Sequence, residues 1–402
     1  MHLTLHLTRA CNLRCSYCYS PPQPGPAMTS ETARAALRFG ARTTGGSCGI
    51  VLFGGEPLLC KDLIRPLVAE ARSMTGRGEG QFHFKLTTNG LLLDDAFLEF
   101  AVENDILVAM SIDGVADAHD RHRRLPDGSP TFDRLLPRLR ALLAVRPFSS
   151  VLMVVNPDTV AWLADSVCFL LDLGCRYLIV SLNYAAPWSE EDLDVLRGQY
   201  ERLGDCYIDW TRRGRKFYLS PFEVKLASHV EGEEVCREHC ELGMRQTSVD
   251  PEGFLYPCVQ FAKAGPESRW CIGSVFAGID SSKRLRLRDE SQSDKEPCRQ
   301  CAIRSRCHNT CGCLNWQTTG SVAQVSPVLC RHEQMLVPIA DRVGETLYRE
   351  GNALFLNKLY NPAYPLVSLL ENSVSQGGEE GGDCPPPVRK GKSTTGPRSG
   401  KI

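Results

Sequence analysis

The chain has no excess of charge of either sign. Its 402 residues carry 46 Lys and Arg against 47 Asp and Glu, for a formal net charge of −1. Without a global basic field there is no general attraction for nucleic acid or an anionic membrane surface. Long apolar runs are missing too, since none reaches the roughly 18 residues needed to span a bilayer. No secretory leader pattern is visible: Met1-His2-Leu3-Thr4-Leu5-His6 is strand-like and runs straight into a cysteine loop. These absences set the expectation of a cytoplasmic protein with no membrane and no nucleic-acid partner. Cysteine, by contrast, is abundant at 19 residues. In a reducing compartment so many thiols read as metal or cluster ligands rather than disulfides. Hydrophobic content is ordinary at 43%. At about 150 residues per domain, the length suggests two or three domains and a large core.

The stretch Arg9-Ala10-Cys11-Asn12-Leu13-Arg14-Cys15-Ser16-Tyr17-Cys18-Tyr19 organises the rest. Cys11, Cys15 and Cys18 have C-x3-C-x2-C spacing on a loop that leaves a short strand. Soft thiolates select zinc, copper(I) or iron–sulfur clusters. Structural zinc usually takes four protein ligands, and the loop holds no fourth Cys or His. Three thiolates on a four-iron cluster leave one iron open to a substrate or cosubstrate. A zinc knuckle or a chance group of buried thiols is the competing reading. The spacing, the Asn after the first Cys and the aromatic before the third resemble the signature loop of radical S-adenosylmethionine (SAM) enzymes.

Strand-like runs at 2–7, 49–53, 81–86, 106–112, 149–155 and 176–182 alternate with helical patterns near 29–43, 61–74, 93–103, 131–145, 160–173 and 189–213. Thr29-Ser30-Glu31 and Ser189-Glu190-Glu191 supply helix-start chemistry. This alternation predicts an α/β fold with a parallel sheet. The pattern breaks near residue 215, short of an eight-fold barrel, so a partial (β/α)6 TIM-like barrel fits better, and the family resemblance implies the same. Parallel sheets place sites at the carboxyl ends of their strands.

Those ends carry interpretable residues. Phe53-Gly54-Gly55-Glu56-Pro57 offers two glycines for close backbone approach and a carboxylate that can accept from an ammonium. A tight turn would also explain it. The resemblance implies that this motif, with Gly54, Gly55 and Glu56, holds the amino group of SAM. Thr87-Thr88-Asn89-Gly90 resembles the next strand-end motif, with Asn89 lining the SAM pocket. Ser111-Ile112-Asp113-Gly114 is followed by His119 and Arg123. The resemblance assigns Ser111 and Arg123 to the SAM carboxylate, for which a planar guanidinium is suited. It also places Tyr17 among the cofactor-binding residues. Arg121 and Arg124 read as solvated. Cys48, Cys60, Cys168, Cys175 and Cys206 stand singly in apolar contexts and read as small buried hydrophobes.

After residue 236 the pattern changes. Cys236 and Cys240 are followed by Gly253 and Cys258, then Cys298-x2-Cys301-x5-Cys307-x3-Cys311, and then Cys330. Thr247-Ser248-Val249-Asp250 and Phe254-Leu255-Tyr256 flank Pro251-Glu252-Gly253 as a hairpin signal. Few helical patterns appear, so metal centres should support this region. The cysteine arrangement resembles the SPASM extension of radical SAM enzymes that modify peptides and proteins. That family places two auxiliary four-iron–four-sulfur (4Fe-4S) clusters here. Position-matching gives one to Cys236, Cys240, Cys258 and Cys311, and the other to Cys298, Cys301, Cys307 and Cys330. Two four-thiolate zinc sites are the alternative from spacing alone. Cys271 and Cys313 are left over, and Cys313 could serve as an alternate ligand. The expected layout is a radical SAM core at 1–215, an auxiliary-cluster domain at 216–335, a helical segment at 336–372 and a disordered tail at 373–402.

The resemblance implies that a 4Fe-4S cluster on Cys11, Cys15 and Cys18 binds SAM and cleaves it reductively. The 5′-deoxyadenosyl radical then takes hydrogen from a peptide or protein side chain. An electron donor such as flavodoxin or ferredoxin would be needed. The layout is similar to the anaerobic sulfatase maturases, which make formylglycine. Those enzymes carry an Asp directly after the cysteine that follows the glycine hairpin, and here that position is Val259. A valine cannot take a proton, so the expectation leans to peptide maturation, with a zinc-bound non-enzymatic scaffold as the competing class.

Overall fold

The computed structural model describes residues 2–20, 22, 24–231 and 240–361. Cys236, the 373–402 tail and part of the 336–372 segment lie outside them. The first half alternates as expected. The elements are β1 (His2–His6), α1 (Ser30–Thr44), β2 (Ser47–Phe53), α2 (Lys61–Gly76), β3 (Gln81–Thr88), α3 (Asp95–Glu103) and β4 (Leu107–Ser111). They continue with α4 (Ala116–His122), α5 (Phe132–Val145), β5 (Ser150–Val155), α6 (Leu163–Asp172), β6 (Tyr177–Leu182) and α7 (Glu190–Arg212). The helix starts carry the anticipated caps. Thr29 accepts from the Thr32 N–H, and Ser189 and Asp192 bond each other's backbone in a capping box. The short α4 has too few residues to show periodicity, and the sequence pattern missed it.

The alternation does not stop at 215. A two-residue strand β7 (Tyr218–Leu219) pairs parallel to β6, and α8 (Ser220–Glu231) follows. Two residues are too short to register as period-two patterning. The second half then returns to the sheet. β8 (Gln246–Val249) pairs parallel to β1, with His2 opposite Gln246 and Leu5 opposite Val249. β9 (Leu255–Tyr256) folds back antiparallel on β8, which is the hairpin around Gly253. The result is a nine-stranded sheet in the order β7-β6-β5-β4-β3-β2-β1-β8-β9, parallel from β7 to β8. This is the α/β fold with the parallel sheet of a partial barrel.

Beyond the hairpin α9 (Ser281–Gln292) and α10 (Gly312–Thr319) are helices the sequence pattern did not suggest, and α11 (Pro327–Arg349) and α12 (Ala353–Tyr360) supply helix in the described part of the expected helical segment. α11 lies against α7 and α8 and buries Leu336, Ala340, Val343 and Leu347 along one stripe. Cys48, Cys60, Cys175 and Cys206 are buried free thiols, as expected of small hydrophobes. Cys168 departs from that reading because it is disulfide-bonded. No helix among the described residues is long and apolar enough to cross a membrane.

Candidate functional site

At the carboxyl ends of the strands lies a cavity of about 490 Å³. The cysteine loop forms one wall. It is fastened to β2 by backbone bonds from Gly55 N to Thr8 O (2.8 Å) and from Glu56 N to Ala10 O (2.9 Å). On its other side Arg14 N donates to Arg124 O (2.8 Å) and Ser16 N to His122 O (3.1 Å). The α4 segment thus serves to strap the loop down. A Cβ on Gly54 would stand 2.4 Å from Thr8 O, and one on Gly55 2.1 Å from Ala10 O. These glycines are therefore required by the loop's own approach to β2, in addition to lining the cavity.

Cys11, Cys15 and Cys18 all line this space, together with Tyr17, Gly54, Gly55, Asn89, Ser111 and Arg123. The sequence motifs therefore converge on one place. Two N–H groups approach the Cys11 sulfur, from Leu13 N at 3.4 Å and Asn89 Nδ2 at 3.7 Å. The Asn89 amide also donates to Asn12 Oδ1 (2.7 Å), tying β3 to the loop. Burial pushes the Cys15 thiol up to about 11, against the opposing pull of Arg123. Among the described residues no three His, Cys, Asp or Glu side chains form a single-ion site. Three thiols at a cavity edge, one of them met by two N–H donors, fit the donor set of a cluster.

Glu56 departs from its expected place. It is 0% exposed and is not among the cavity's lining residues. Its carboxylate accepts from Leu58 N (3.0 Å), the Thr88 hydroxyl (2.7 Å) and Asn89 N (2.8 Å). It therefore fixes the end of β3 from behind. Burial raises its carboxyl above the usual range even against those bonds.

Arg123 is almost wholly buried at the cavity wall. Its Nη1 donates to the Tyr17 hydroxyl (2.6 Å), which donates to Asp113 Oδ2 (2.6 Å). Val154 N donates to the other Asp113 oxygen (3.0 Å). His119 Nδ1 accepts from Asp113 N (3.1 Å), so Nε2 carries the proton and bonds Thr131 Oγ1 (3.0 Å). The Thr131 hydroxyl in turn donates to Arg123 O (2.6 Å). Burial opposes the Arg123 charge, but Tyr17, Asp113 and Cys15 outweigh it and keep the guanidinium protonated. Its Nε has no partner. A buried guanidinium that lines the cavity and is not fully paired among the described residues fits an anionic ligand group such as a carboxylate. Asp113 and His119 carry this arrangement, yet only their nearness to Ser111 marked them in the sequence.

The opposite wall comes from β6 and the second half: Ser181, Asn183, Tyr184, Gln260, Cys311, Cys313 and Gln317. Most are lone residues without a motif, which is why they were not singled out. Tyr184 bonds His332 Nδ1 (2.8 Å), whose Nε2 bonds the Tyr200 hydroxyl (3.0 Å). Val259 packs on the core, while its neighbour Gln260 faces the cavity. No Asp or Glu is among the cavity's described lining residues.

The later cysteines gather in two groups. Cys298, Cys301, Cys307 and Cys330 lie close enough to act electrostatically on one another. Cys240, Cys258 and Cys311 form the other group, joined by Cys313. Tyr19 stands between this group and the first loop, within electrostatic reach of Cys258, Cys18 and Cys313.

Known proteins share much of this arrangement. A family model described as the radical SAM superfamily matches residues 5–170. The serine-type anaerobic sulfatase-maturating enzyme of Klebsiella aerogenes is 26% identical over 325 residues, covering 75% of this chain and 77% of that protein. The cysteine-type anaerobic sulfatase-maturating enzyme of Clostridium perfringens (strain 13 / Type A) is 21% identical over 331 residues, covering 75% and 85%. Among solved structures, native anSMEcpe with bound AdoMet matches with a TM-score of 0.75 at 18% identity, over 87% of this chain and 99% of that chain. Streptococcus suis SuiB bound to precursor peptide SuiA matches at 0.57 and 16%, over 82% and 75%. At such identities the structural matches speak for the fold.

Proposed function

We propose that this enzyme, whose residues 5–170 form a radical SAM domain, abstracts hydrogen from a side chain of a peptide or protein and so matures it. A radical SAM domain implies a 4Fe-4S cluster and SAM. Cys11, Cys15 and Cys18 would hold the cluster. When bound and reduced, that pair supplies the 5′-deoxyadenosyl radical that takes the hydrogen. Arg123, held by Tyr17, would pair with the SAM carboxylate. Asn89 would orient Cys11, and Ser111, Gly54 and Gly55 would line the SAM space. The apolar wall from Leu152, Val154 and Ile179 would exclude water and stray hydrogen donors. Two auxiliary clusters in the second half, and an electron donor such as flavodoxin or ferredoxin, complete the proposal. So does a division of the chain into a core at 1–215 and an auxiliary domain at 216–335.

One observation carries the choice of substrate reaction: the described cavity lining offers no carboxylate, and Val259, half-buried against the core, is not part of it. Peptide maturation of another kind is therefore favoured over formylglycine formation. The sulfatase-maturating relatives favour the second reading, in which some other group takes the proton. The deciding experiment incubates the reduced, reconstituted enzyme and SAM with a sulfatase-derived peptide. Deoxyadenosine without formylglycine is expected, and formylglycine in the product would reverse the preference. Cys15→Ala should abolish deoxyadenosine formation altogether. Arg123→Lys, which loses the planar fork, should weaken SAM binding by about tenfold or more, measured by equilibrium dialysis.

A further inference from the structure

We propose that Cys313 is a thiolate ligand of one auxiliary iron–sulfur cluster, shared with Cys240, Cys258 and Cys311. This rests on the radical SAM reading above. Cys313 matches no position of the spacing pattern, yet it stands inside the sulfur group. Its Sγ is 3.7 Å from that of Cys311. Cys311 also lies within interaction reach of Cys240, and Cys313 within that of Cys258. The four sulfurs therefore form one continuous chain among the described residues, with Cys313 as the link to Cys258.

The local fold explains how they meet. Cys311 is the N-cap of α10, and Cys313 lies in its first turn. A Cβ on Gly312 would meet Leu242 Cδ2 at 2.9 Å and Ser291 Cβ at 3.2 Å. The missing side chain lets Leu242 pack directly on the start of α10, which brings Cys240 to Cys311. Gln292 Nε2 donates to Cys240 O (2.7 Å) and fixes that segment from α9. Donors are aimed at the sulfurs as well: Gly312 N at Cys240, Leu314 N at Cys311, and Gln246 Nε2 at Cys258 at 3.9 Å. N–H groups directed at thiolates stabilise and tune a cluster. The other leftover thiol, Cys271, turns instead to Gly273 O at 3.5 Å. Cys311 and Cys313 line the same cavity as Cys11, Cys15 and Cys18, so this edge of the sulfur group faces the space between the two walls.

The test uses the full chain, reconstituted without air, with iron and sulfide assays and EPR of the reduced protein. Cys313→Ala should lose about one third of the iron and sulfide, one cluster of three, together with one EPR signal. Cys313→Ser should keep most of the iron but shift that signal, since oxygen replaces sulfur. Cys271→Ser should match the wild type. The change that SAM induces in the signal of the Cys11, Cys15 and Cys18 cluster reports an intact barrel in each variant. Wild-type iron and an unchanged spectrum in both Cys313 variants would overturn the assignment and leave the radical SAM reading standing. Wild-type protein free of iron and sulfide would remove that reading, and the assignment with it.

Discussion

In the barrel, Leu3, Leu5, Ile50, Leu52, Leu86, Val151 and Leu178 are each no more than 1% exposed, and they come from strand after strand of one sheet. In the cysteine-rich region, α9 buries only Leu287 and Ser291, and the small apolar cluster beside Cys298 has Val325 and Leu329 as its other buried members. Several polar side chains are buried near these cysteines: Lys225, Lys295, Asn309, Asn315 and Glu333. Lys225 and Glu333 are each 2% exposed and pair with one another, joining α8 to α11. Lys225 also donates to Arg306 O (2.9 Å), and Glu333 bonds His308 Nδ1 (3.0 Å), so the pair anchors the cysteine-bearing loop. The barrel is thus held by area removed from water, at about 25 cal/mol per Å². The second region joins that same core through Phe261, Trp270, Ile272 and Val275, and it adds buried polar anchors around its cysteines, which must be satisfied together or not at all.

Metal removal should break this comparison open most widely. If the second region depends on its centres, chelation should abolish hydrogen-exchange protection around 281–311 while β2 to β5 stay protected. Equal protection in both halves would show that the small apolar cluster suffices. Next comes Lys225→Met, which leaves Glu333 buried without its cation. About 3–5 kcal/mol should be lost in urea unfolding. The double variant Lys225→Met/Glu333→Leu should recover most of that. If it does not, the pair contributes more than mutual neutralisation.

The same contrast decides what was legible in the sequence. β1 to β6 could be read because period-two and period-3.6 patterns directly record which side chains leave water. β7 and α4 could not, because two or seven residues hold too few repeats. The cysteine spacings brought Cys298, Cys301, Cys307 and Cys330 to one place, since thiol ligands must be supplied by residue type wherever they fall. Glu56 was misplaced because a carboxylate that pins Thr88 and Asn89 looks the same in sequence as one that meets a ligand. Tyr184 and Gln260 between the longer elements, and Cys313 at the start of α10, reach the cavity through the course of the whole chain, which no local pattern encodes.

In the barrel, Leu86→Ala should cost about 2–5 kcal/mol, the transfer loss plus the cavity left in a packed sheet. Leu287→Ala on α9 should cost less, because α9 buries only Ser291 beside it and can shift to fill the gap. Equal costs would mean that the second region is packed as tightly as the first.

Acid should separate the two regions by a smaller amount. Burial lowers His6 to about 4, and burial together with Arg123 lowers His119 to about 2, both below the ordinary 6.5. A histidine depressed in the folded state binds protons more readily when unfolded. Its contribution is therefore complete above about pH 6.5 and declines as pH falls toward the folded value. Between pH 7 and 5 each should remove about 1–2 kcal/mol of barrel stability. Glu333 is also shifted down, to about 2 from 4.5: burial opposes the shift, but His308 and Lys225 outweigh it. Its contribution stays intact until pH falls below about 4.5 and is lost only as pH approaches 2. Burial likewise lowers His332 on α11 to about 4, so exchange-detected unfolding at pH 5 should weaken the strands, with two such histidines, more than α11, with one, while the Lys225–Glu333 pair holds. His119→Gln, whose amide can still bond Thr131, should flatten the barrel's pH dependence by roughly one histidine's share. An unchanged slope would place the acid sensitivity elsewhere in the chain.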